Sequence, residues 1–304
     1  MDSRVKRPSS NMASNMTSKS ALILGTGYTA RKFIPHLQAR GYAVTATRRS
    51  KPIGIDGVSE IAFSGALSAP LKAAFETADV ILTSVPPFKD PTDTAPDAAL
   101  EALSGLTPKK ASWIGYLSAT SVYGDLGGGW ANEDSPVAPS LRRGRARAQA
   151  EIAWIETGWS VHIFRLAGIY GLGRNPFEKL RAGTARAVVK DGHVVNRIHV
   201  EDICAALLKS IDAPNPQAIY NLADGNPAPP QDVLSFAAEL IAAPPPKIVS
   251  VDSPDLTAMA RTFYAETKRI DASRAQKELG WSPQYPTYQT GLTAIFKALS
   301  ANPN

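Results

Sequence analysis

The sequence predicts an α/β fold in which helices cover both faces of a parallel β-sheet. Short β-rich runs alternate with helical stretches from residue 20 to about residue 170, and the first of these runs, 21–25, is continuously apolar. Continuously apolar strands are typical of parallel sheets that are buried on both faces. A glycine-rich turn also follows the first run directly, at residues 25–30. Turns of this kind join the first strand and helix of doubly wound folds, so we predict a doubly wound parallel sheet.

The elements are predicted in the order strand, helix, strand. Six buried strands are predicted, at residues 21–25, 42–47, 58–63, 79–85, 112–118 and 159–170. Helical stretches separate them near residues 30–41, 66–77, 95–106 and 141–157. Parallel strands need such crossover helices, because a short turn cannot return the chain to the same end of the sheet.

The pattern changes after residue 171. A short strand leads into a helix over 197–211, a strand and turn follow at 218–225, and a helix is predicted over 229–243. We expect 171–304 to form a smaller α/β substrate lobe, packed against a cofactor-binding domain that comprises residues 20–170. Residues 1–19 are Ser-rich and basic, and we expect a disordered tail there. A transit segment and a mis-assigned start codon both remain open for this tail.

Composition argues against several function classes. The single cysteine, Cys204, cannot form an internal disulfide, which fits a reducing cytoplasm. Much of the net charge of +6 lies in the first 20 residues and in the arginines of 142–147. A basic field is therefore not spread over the folded body, and we do not expect nucleic-acid binding. No apolar run reaches membrane-spanning length, and no metal-ligand spacing is visible. A homodimer is left open.

The glycine-rich turn has the spacing GxGxxA, with Gly25, Gly27 and Ala30. The first glycine makes the tight turn, and the second lets the main chain approach a pyrophosphate. The small Ala30 lets the helix pack against the strand. The helix N-terminus also offers free amide groups to an anion. We therefore expect a dinucleotide to bind at this loop, whose residues are Gly25, Thr26, Gly27, Tyr28, Thr29 and Ala30.

The end of the second strand indicates which dinucleotide. It reads Thr47, Arg48, Arg49, without the carboxylate that would accept the ribose hydroxyls of NAD. A guanidinium suits the 2′-phosphate of NADP(H), which we therefore expect in preference to NAD(H). The alternative is that both arginines are solvated surface charges. Further cofactor contacts are expected at the ends of later strands, from Ser84, Val85, Pro86 and Ser118.

Four stretches between residues 116 and 286 resemble one family. They are "YLSATSVYGD" (116–125), "FRLAGIYGLGR" (164–174), "RIHVEDICAAL" (197–207) and "ELGWSPQYP" (278–286). Together with the glycine-rich turn they resemble the extended short-chain dehydrogenase/reductase family, which includes sugar-nucleotide epimerases and dehydratases. The resemblance covers residues 20–300. It implies a Rossmann-type sheet with a smaller C-terminal substrate lobe.

The resemblance also implies a catalytic triple of a hydroxyl residue, a tyrosine and a lysine, and this chain departs from it. The three corresponding positions hold Ala119, Arg143 and Arg147. Arginine is not a proton-transfer base near neutral pH. Because the two arginines lie on one face of a helix, we expect them to bind an anion. The alternative is a solvated charged face. By position, Thr120 and Tyr123 are the best remaining proton donors.

Two functions follow from the resemblance. The first is an NADP(H)-dependent oxidoreductase or epimerase-like enzyme of the atypical branch. It would act on a small carbonyl or sugar-type substrate, with the arginines holding an anionic group. The second is a catalytically silent NADP(H)-binding protein that reports redox state to a partner.

Overall fold

The computed structural model describes residues 19–87, 97–254, 256–257 and 261–301. The predicted tail therefore lies outside the described residues, apart from Lys19. The strands are β1 (Ser20–Leu24), β2 (Ala43–Arg48), β3 (Val58–Ala62), β4 (Val80–Thr83), β5 (Trp113–Ala119), β6 (Trp130–Ala131), β7 (Val161–Leu166), β8 (Gly168–Tyr170), β9 (Arg186–Val189), β10 (Arg197–His199), β11 (Ile219–Leu222), β12 (Lys247–Ser250) and β13 (Arg269–Ile270).

Helices connect these strands, and two further helices follow β13 within the described residues. The helices are α1 (Tyr28–Ala39), α2 (Ala69–Thr77), α3 (Ala98–Ala102), α4 (Arg142–Glu156), α5 (Phe177–Arg181), α6 (Val200–Asp212), α7 (Pro230–Leu240), α8 (Ser273–Leu279) and α9 (Tyr288–Ala301). A 3₁₀ turn over Thr120–Tyr123 follows β5 directly. Within the described ranges, none of these helices combines the length and the apolar character that crossing a membrane requires.

Seven parallel strands form the central sheet, in the spatial order β11-β7-β5-β4-β1-β2-β3. The order reverses beside β1, which is the topological switch point where doubly wound sheets bind their ligands. The predicted fold class is confirmed. The short two-stranded pairs β8/β10, β9/β12 and β6/β13 lie outside this sheet.

Both faces of the sheet are buried, which explains the continuously apolar strands. In β1, Ala21 and Ile23 pack in one hydrophobic cluster with α1 and α6, whereas Leu22 and Leu24 pack in a second cluster with α2 and α4. Successive side chains of a strand point to opposite faces, so a strand covered on both sides needs an apolar residue at every position.

The stretch 159–170, predicted as one strand, is two strands in the structure. β7 ends at Leu166, and β8 pairs with β10 instead of continuing along the sheet. The main-chain N–H of Gly168 donates to the carbonyl of Asn196 at 3.0 Å, and a Cβ at position 168 would lie 3.0 Å from that oxygen. Glycine thus permits the close approach that redirects the chain toward the C-terminal segments.

Residues beyond 170 contribute both to the sheet and to a further core. β11 is the edge strand beside β7, and Ile203 and Leu207 of α6 belong to the cluster that also contains α1. A third hydrophobic cluster contains residues from β8 to α9, among them Phe177 and Leu292. A smaller lobe built against the sheet agrees with this third core. The predicted division at residue 170 stays a prediction, since β11 returns to the sheet.

The helix predicted over 95–106 is only five residues long, and positions 95 and 96 lie outside the described residues. Asp97 caps this short helix, because its carboxylate accepts from the N–H groups of Ala99 and Leu100. Such a cap satisfies amide groups that otherwise have no partner at a helix start.

Candidate functional site

The glycine-rich loop lies at the carboxyl end of β1. Gly25 has a φ of +82°, and a Cβ there would lie 3.1 Å from the main-chain nitrogen of Val85. Gly27 immediately precedes α1, and no side chain caps the helix start. Next to Gly27 there is open space, because a Cβ would meet only the Ser84 hydroxyl, at 3.9 Å. The free amide groups of α1 therefore face a space that an anion can enter.

Two hydroxyl residues from neighbouring strands hold this loop. The Thr47 hydroxyl accepts from the Gly25 N–H at 2.8 Å, and the Thr26 hydroxyl donates to the Thr47 carbonyl at 2.7 Å. On the other side, the Ser84 hydroxyl donates to the Gly25 carbonyl at 2.6 Å. The loop is thereby fixed by β2 and β4, and a ligand need not order it on binding.

A cavity of about 530 Å³ opens at this loop. Four of its lining side chains are cationic: Arg31, Arg48, Arg49 and Lys51. The remaining lining residues are Gly25, Thr26, Gly27, Thr47, Ser50, Pro52, Ile53, Phe63, Ser64, Gly65, Ser84, Val85, Pro86 and Ala98. A cavity of this size and charge suits a phosphorylated ligand with an apolar moiety.

Arg48 is held in place at the edge of the cavity. Its Nε lies 2.7 Å from Oε2 of Glu60, and its Nη1 donates to the Ser50 carbonyl at 3.1 Å. Oε1 of Glu60 also accepts from the Ile53 N–H at 2.8 Å, and the Ile53 carbonyl accepts from Nη2 of Arg31 at 2.6 Å. The hydrogen bond from Ile53 and the contact with Arg48 hold the pKa of Glu60 below its ordinary value, although burial opposes them.

Most of the predicted cofactor residues come together at this cavity. Gly25, Thr26, Gly27, Arg48, Arg49, Ser84, Val85 and Pro86 all line it. In the first turn of α1, Thr29 and Ala30 are buried, and the Tyr28 hydroxyl donates to the Leu172 carbonyl at 3.0 Å. The sequence reasoning missed Arg31, Ser50 and Lys51. Arg31 directly follows the GxGxxA spacing, so its place in the first helical turn was the available signal.

Ser118 lies elsewhere, in a buried polar network beneath the end of β5. Its hydroxyl donates to Glu151 of α4, and Glu151 receives the Arg165 guanidinium at 2.7 Å. Nη1 of Arg165 donates to the Tyr123 hydroxyl at 3.0 Å, and that hydroxyl donates to Oδ1 of Asn221 at 2.7 Å. Both side chains of the ion pair are only 4% exposed. Ser118 is thus a partner of Glu151 in this structure.

Tyr123 is completely buried, and burial raises its pKa although Arg165 and Asn221 act in the opposite direction. Its only O–H proton is committed to Asn221. A phenol in this state is a structural hydrogen-bonding group, so the structure gives no support to Tyr123 as the predicted proton donor. Thr120 is half-buried in the 3₁₀ turn, and its hydroxyl bonds no side chain or carbonyl among the residues described. It remains the better placed of the two.

Arg143 and Arg147 lie on α4, as predicted, but their guanidinium groups have different neighbours. Nη1 of Arg147 donates to the Leu117 carbonyl at 2.7 Å and to the Tyr116 hydroxyl at 3.2 Å. Arg143 lies over the Phe263 ring, 4.8 Å from its centre. Arg147 therefore fastens α4 to β5, while Arg143 faces a C-terminal segment. Binding of one anion by both arginines stays a prediction, because the two guanidinium groups have different neighbours in this structure.

Close packing fixes the start of α4 against the 3₁₀ turn. A Cβ at Gly144 would lie 2.5 Å from the Ser121 carbonyl oxygen and 2.8 Å from the Cβ of Pro139. Glycine is needed at this contact, which was not foreseen from the sequence. It brings Arg143 next to the turn that contains Thr120.

One group of side chains in the described part of the chain could ligate a metal. The ligand atoms of His36, Glu201 and Cys204 lie within 4.8 Å of one another. His36 and Glu201 are already paired at 2.9 Å, and burial raises the pKa of the Cys204 thiol, so this sulfur is a poor ligand as it stands. The sequence-based expectation of no metal site stays a prediction.

Two curated proteins are similar in sequence. Protein YeeZ of Escherichia coli is 32% identical over 286 residues, which cover 88% of this chain and 97% of that protein. The 3-diazoavenalumate denitrifying reductase of a Streptomyces species is 27% identical over 156 residues, or 49% of this chain and 51% of the reductase. No family model matches the sequence.

Solved structures share the fold over nearly the whole chain. A conserved protein of unknown function from Silicibacter pomeroyi is 39% identical, with a TM-score of 0.80 over 92% of this chain and 99% of that one. The dTDP-glucose 4,6-dehydratase of Bacillus anthracis, solved with NAD, is 17% identical. Its TM-score is 0.73 over 94% of this chain and 97% of the dehydratase. The architecture is that of the extended short-chain dehydrogenase/reductases.

Proposed function

Since the chain belongs to the same family as Escherichia coli protein YeeZ, and has the fold of NAD-dependent epimerases and dehydratases, we propose that it is an NADP(H)-dependent oxidoreductase or epimerase-like enzyme. Its substrate would be a small carbonyl or sugar-type compound. The observation that carries the proposal is the uncapped start of α1 beside a cavity with four cationic side chains.

The residues of the cavity fit a nicotinamide dinucleotide with a 2′-phosphate. The amide groups at Gly27 would hold the pyrophosphate, since the absence of Cβ atoms at positions 25 and 27 leaves space for it. Arg48, Arg49 and Lys51 would hold the 2′-phosphate at the end of β2. The similar dehydratase was solved with NAD, and one relative is called a reductase, so a redox cofactor agrees with both.

When bound, NADPH supplies a hydride. The protein's own part would be to hold the reactants and to exclude water. Arg147 fixes the end of β5 through the Leu117 carbonyl, and Gly144 brings the start of α4 against the 3₁₀ turn. With Tyr123 committed to Asn221, a proton for the product would come from Thr120 or from solvent.

Calorimetric titration with NADPH and NADH tests the cofactor assignment. Wild-type protein should bind NADPH about tenfold to a hundredfold more tightly, because a hydrogen bond to a charged group contributes about 1.5–3 kcal/mol. Arg48→Ala should remove most of this preference and leave NADH affinity unchanged. Arg40→Ala is the matched control, since Arg40 is exposed and paired with Asp212 away from the cavity. Equal affinities in the wild type would contradict the assignment.

The replaced catalytic triple favours a second candidate, a catalytically silent NADP(H)-binding regulator that reports redox state. Ala119 and Arg143 offer no group for proton transfer, and Arg147 is tied to main chain. Consumption of NADPH, followed at 340 nm with a library of small carbonyl compounds, separates the two candidates. Turnover with any compound supports the enzyme. Tight NADPH binding with no turnover across the library supports the regulator.

A further inference from the structure

Three segments meet beside the start of α4, outside the cofactor cavity. The Thr267 carbonyl accepts from the N–H groups of Leu126 and Gly128, and the Thr267 hydroxyl accepts from the Val194 N–H at 3.2 Å. The turn between β9 and β10 is thus joined to the loop that follows the 3₁₀ turn. The segment before Thr267 also carries Phe263, which contacts Arg143. This junction therefore borders the position where the family has its catalytic tyrosine.

His193 lies in this junction with its hydrogen-bonding capacity unused. It is 3% exposed, and neither ring nitrogen has a hydrogen-bond partner among the described residues. Leaving a buried polar group without a partner costs about 1–3 kcal/mol, so such a group needs an explanation. The other histidines differ, because His36, His162 and His199 each have at least one nitrogen paired.

The surroundings of His193 are cationic. Burial lowers the pKa of His193, and Lys190, Lys268 and Arg197 lower it further, against the effect of Asp125. Asp125 accepts from the N–H groups of Thr267 and Gly127, and its own pKa is low for that reason. A neutral imidazole among three cations can donate a hydrogen bond to an anion, whereas these cations would repel a further cation.

Two of those cations have no carboxylate partner. Lys268 is paired with Glu266 at 2.8 Å. By contrast, Lys190 donates to the Tyr264 carbonyl at 2.6 Å, and Arg197 donates to the carbonyls of Val195 and Ala228. Within the described ranges, no carboxylate lies within 4 Å of either side chain. Asp125 acts on Lys190, and Asp224 on Arg197, only from beyond salt-bridge distance, so neither cation near this buried hydrogen-bond donor forms a salt bridge with a described residue.

We propose that His193, Lys190 and Arg197 bind an oxyanion, a carboxylate or phosphate group carried by the substrate. The ring of Tyr264, whose centre is 5.1 Å from that of His193, covers one side of this site. His193 would donate a hydrogen bond, and the two cations would supply the charge. The proposal rests on the proposed function, whose substrate it defines as anionic. It assigns anion recognition to the C-terminal lobe instead of to Arg143 and Arg147.

Histidine-selective ¹³C labelling and NMR of the full chain test the proposal, with inorganic phosphate and malonate as probes. Since the chain has four histidines, the ring signals are few. The His193 signal should shift with saturation, and its pKa should rise by about one unit as the anion binds. His162, buried and paired with Asn215, should not respond. If neither anion moves the His193 signal, the proposal is wrong.

Variants identify the contributing cations. Arg197→Met and Lys190→Met should each weaken the response at His193 about tenfold or more. Lys190→Met is the second variant because Lys190 bonds one main-chain carbonyl, whereas Arg197 bonds two, so loss of folding is less of a risk. Lys209→Met on the exposed side of α6 is the charge-matched control and should leave the affinity unchanged. Equal weakening in all three variants would show only a general charge effect and would overturn the site.

NADPH binding measured on the same samples keeps the two proposals apart. If NADPH binds and the His193 signal stays still, the anion site fails alone. If phosphate moves the His193 signal while NADPH does not bind, the anion site stands and the proposed function fails. Phosphate that also binds at the glycine-rich loop does not confuse the result, because the readout is the His193 signal itself.

Discussion

The carboxyl ends of β1, β2 and β4 differ sharply from the carboxyl ends of β5 and β7 in how they use polar groups. At the first region, Thr47 and Ser84 hold the main chain of the loop, and the amide groups of α1 remain open to a cavity. At the second region, Ser118, Glu151, Arg165 and Tyr123 satisfy one another below the surface. One sheet edge thus carries both a loop that opens to a cavity and a closed structural network.

The difference indicates which region can take a ligand. A phosphorylated ligand needs open amide groups and cationic side chains, and the first region has both, with Arg48 held by Glu60. Proton transfer needs an acid that can exchange its proton, and at the second region the buried phenol is committed to Asn221. We therefore expect changes at the second region to affect stability and changes at the first to affect ligand affinity.

The largest expected effect comes from breaking the buried network. Arg165→Met leaves the Glu151 carboxylate buried without its charge partner, which should cost about 3–5 kcal/mol of unfolding free energy. Urea unfolding followed by circular dichroism measures this. Arg40→Met breaks a surface pair with Asp212 and should cost less than about 1 kcal/mol.

A double variant sharpens the result. Arg165→Met combined with Glu151→Leu removes both charges, so it should recover part of the lost stability. If Arg165→Met costs no more than Arg40→Met, the network is not structural, and the contrast between the two regions fails.

The grouping of residues around the glycine-rich loop could be predicted from the sequence because its signals are local. Gly25, Gly27 and the two arginines at the end of β2 belong to one strand–helix–strand unit, so their spacing determines their geometry. The network could not be predicted, because Tyr123 meets Asn221 98 residues away and Ser118 meets Glu151 33 residues away. The sequence positions of Ser118 and Tyr123 predict that their hydroxyl groups lie near a site. They do not predict which groups these hydroxyls bond once they are buried.

The same reasoning explains the misread strand and the missed residues. The run 159–170 is largely apolar, and only the contact of Gly168 with the Asn196 carbonyl shows where the chain leaves the sheet. Glu60 gave no sign of contacting Arg48, because the partner lies on an adjacent strand. Contacts between segments that are distant in the sequence depend on tertiary packing, which the spacing of residues does not predict.

At the first region, Gly25→Ala should have the next largest effect, and it should act on the ligand. The added Cβ would lie 3.1 Å from the Val85 nitrogen, so the loop must move. NADPH affinity should fall at least about tenfold, or 1.4 kcal/mol, in calorimetric titration. Gly173→Ala is a matched control, because Gly173 has a similar φ of +81° with nothing within 4 Å of its Cβ position. If Gly173→Ala weakens NADPH binding as much as Gly25→Ala does, backbone strain alone would explain the loss of affinity.

A smaller effect is expected from Glu60→Gln. Glu60 holds Arg48 by its Nε and also the Ile53 N–H, so loss of its charge should free the Arg48 side chain. Since an exposed ion pair contributes little, NADPH affinity should fall up to about fivefold, with NADH affinity unchanged. Glu76→Gln, which is paired with Lys109 away from the cavity, serves as control. Tighter NADPH binding would instead show that Glu60 repels the 2′-phosphate.

The last expected effect, a change in how stability depends on pH, concerns Asp224, two residues beyond the end of β11. It is 4% exposed and its Oδ2 has no partner among the described residues. Burial raises its pKa to about 7, with Arg197 acting in the opposite direction. The folded protein therefore holds a proton on Asp224 that the unfolded chain releases near its ordinary carboxyl pKa.

That sign makes the contribution of Asp224 to stability largest at acid pH and progressively lost as pH rises toward 7. The decrease cannot exceed about 1.4 kcal/mol per pH unit for one proton. Asp224→Asn removes the titration, so unfolding free energies measured in urea between pH 4.5 and 7 should fall less steeply for the variant. Asp202, whose pKa burial raises to about 6, titrates in both proteins, so the comparison measures Asp224 together with its interaction with Asp202. If the two pH profiles run parallel, Asp224 is ionised and paired with Arg197 in the folded state. The Arg197 charge would then be compensated, and the cationic junction around His193 would lose one of its two free cations.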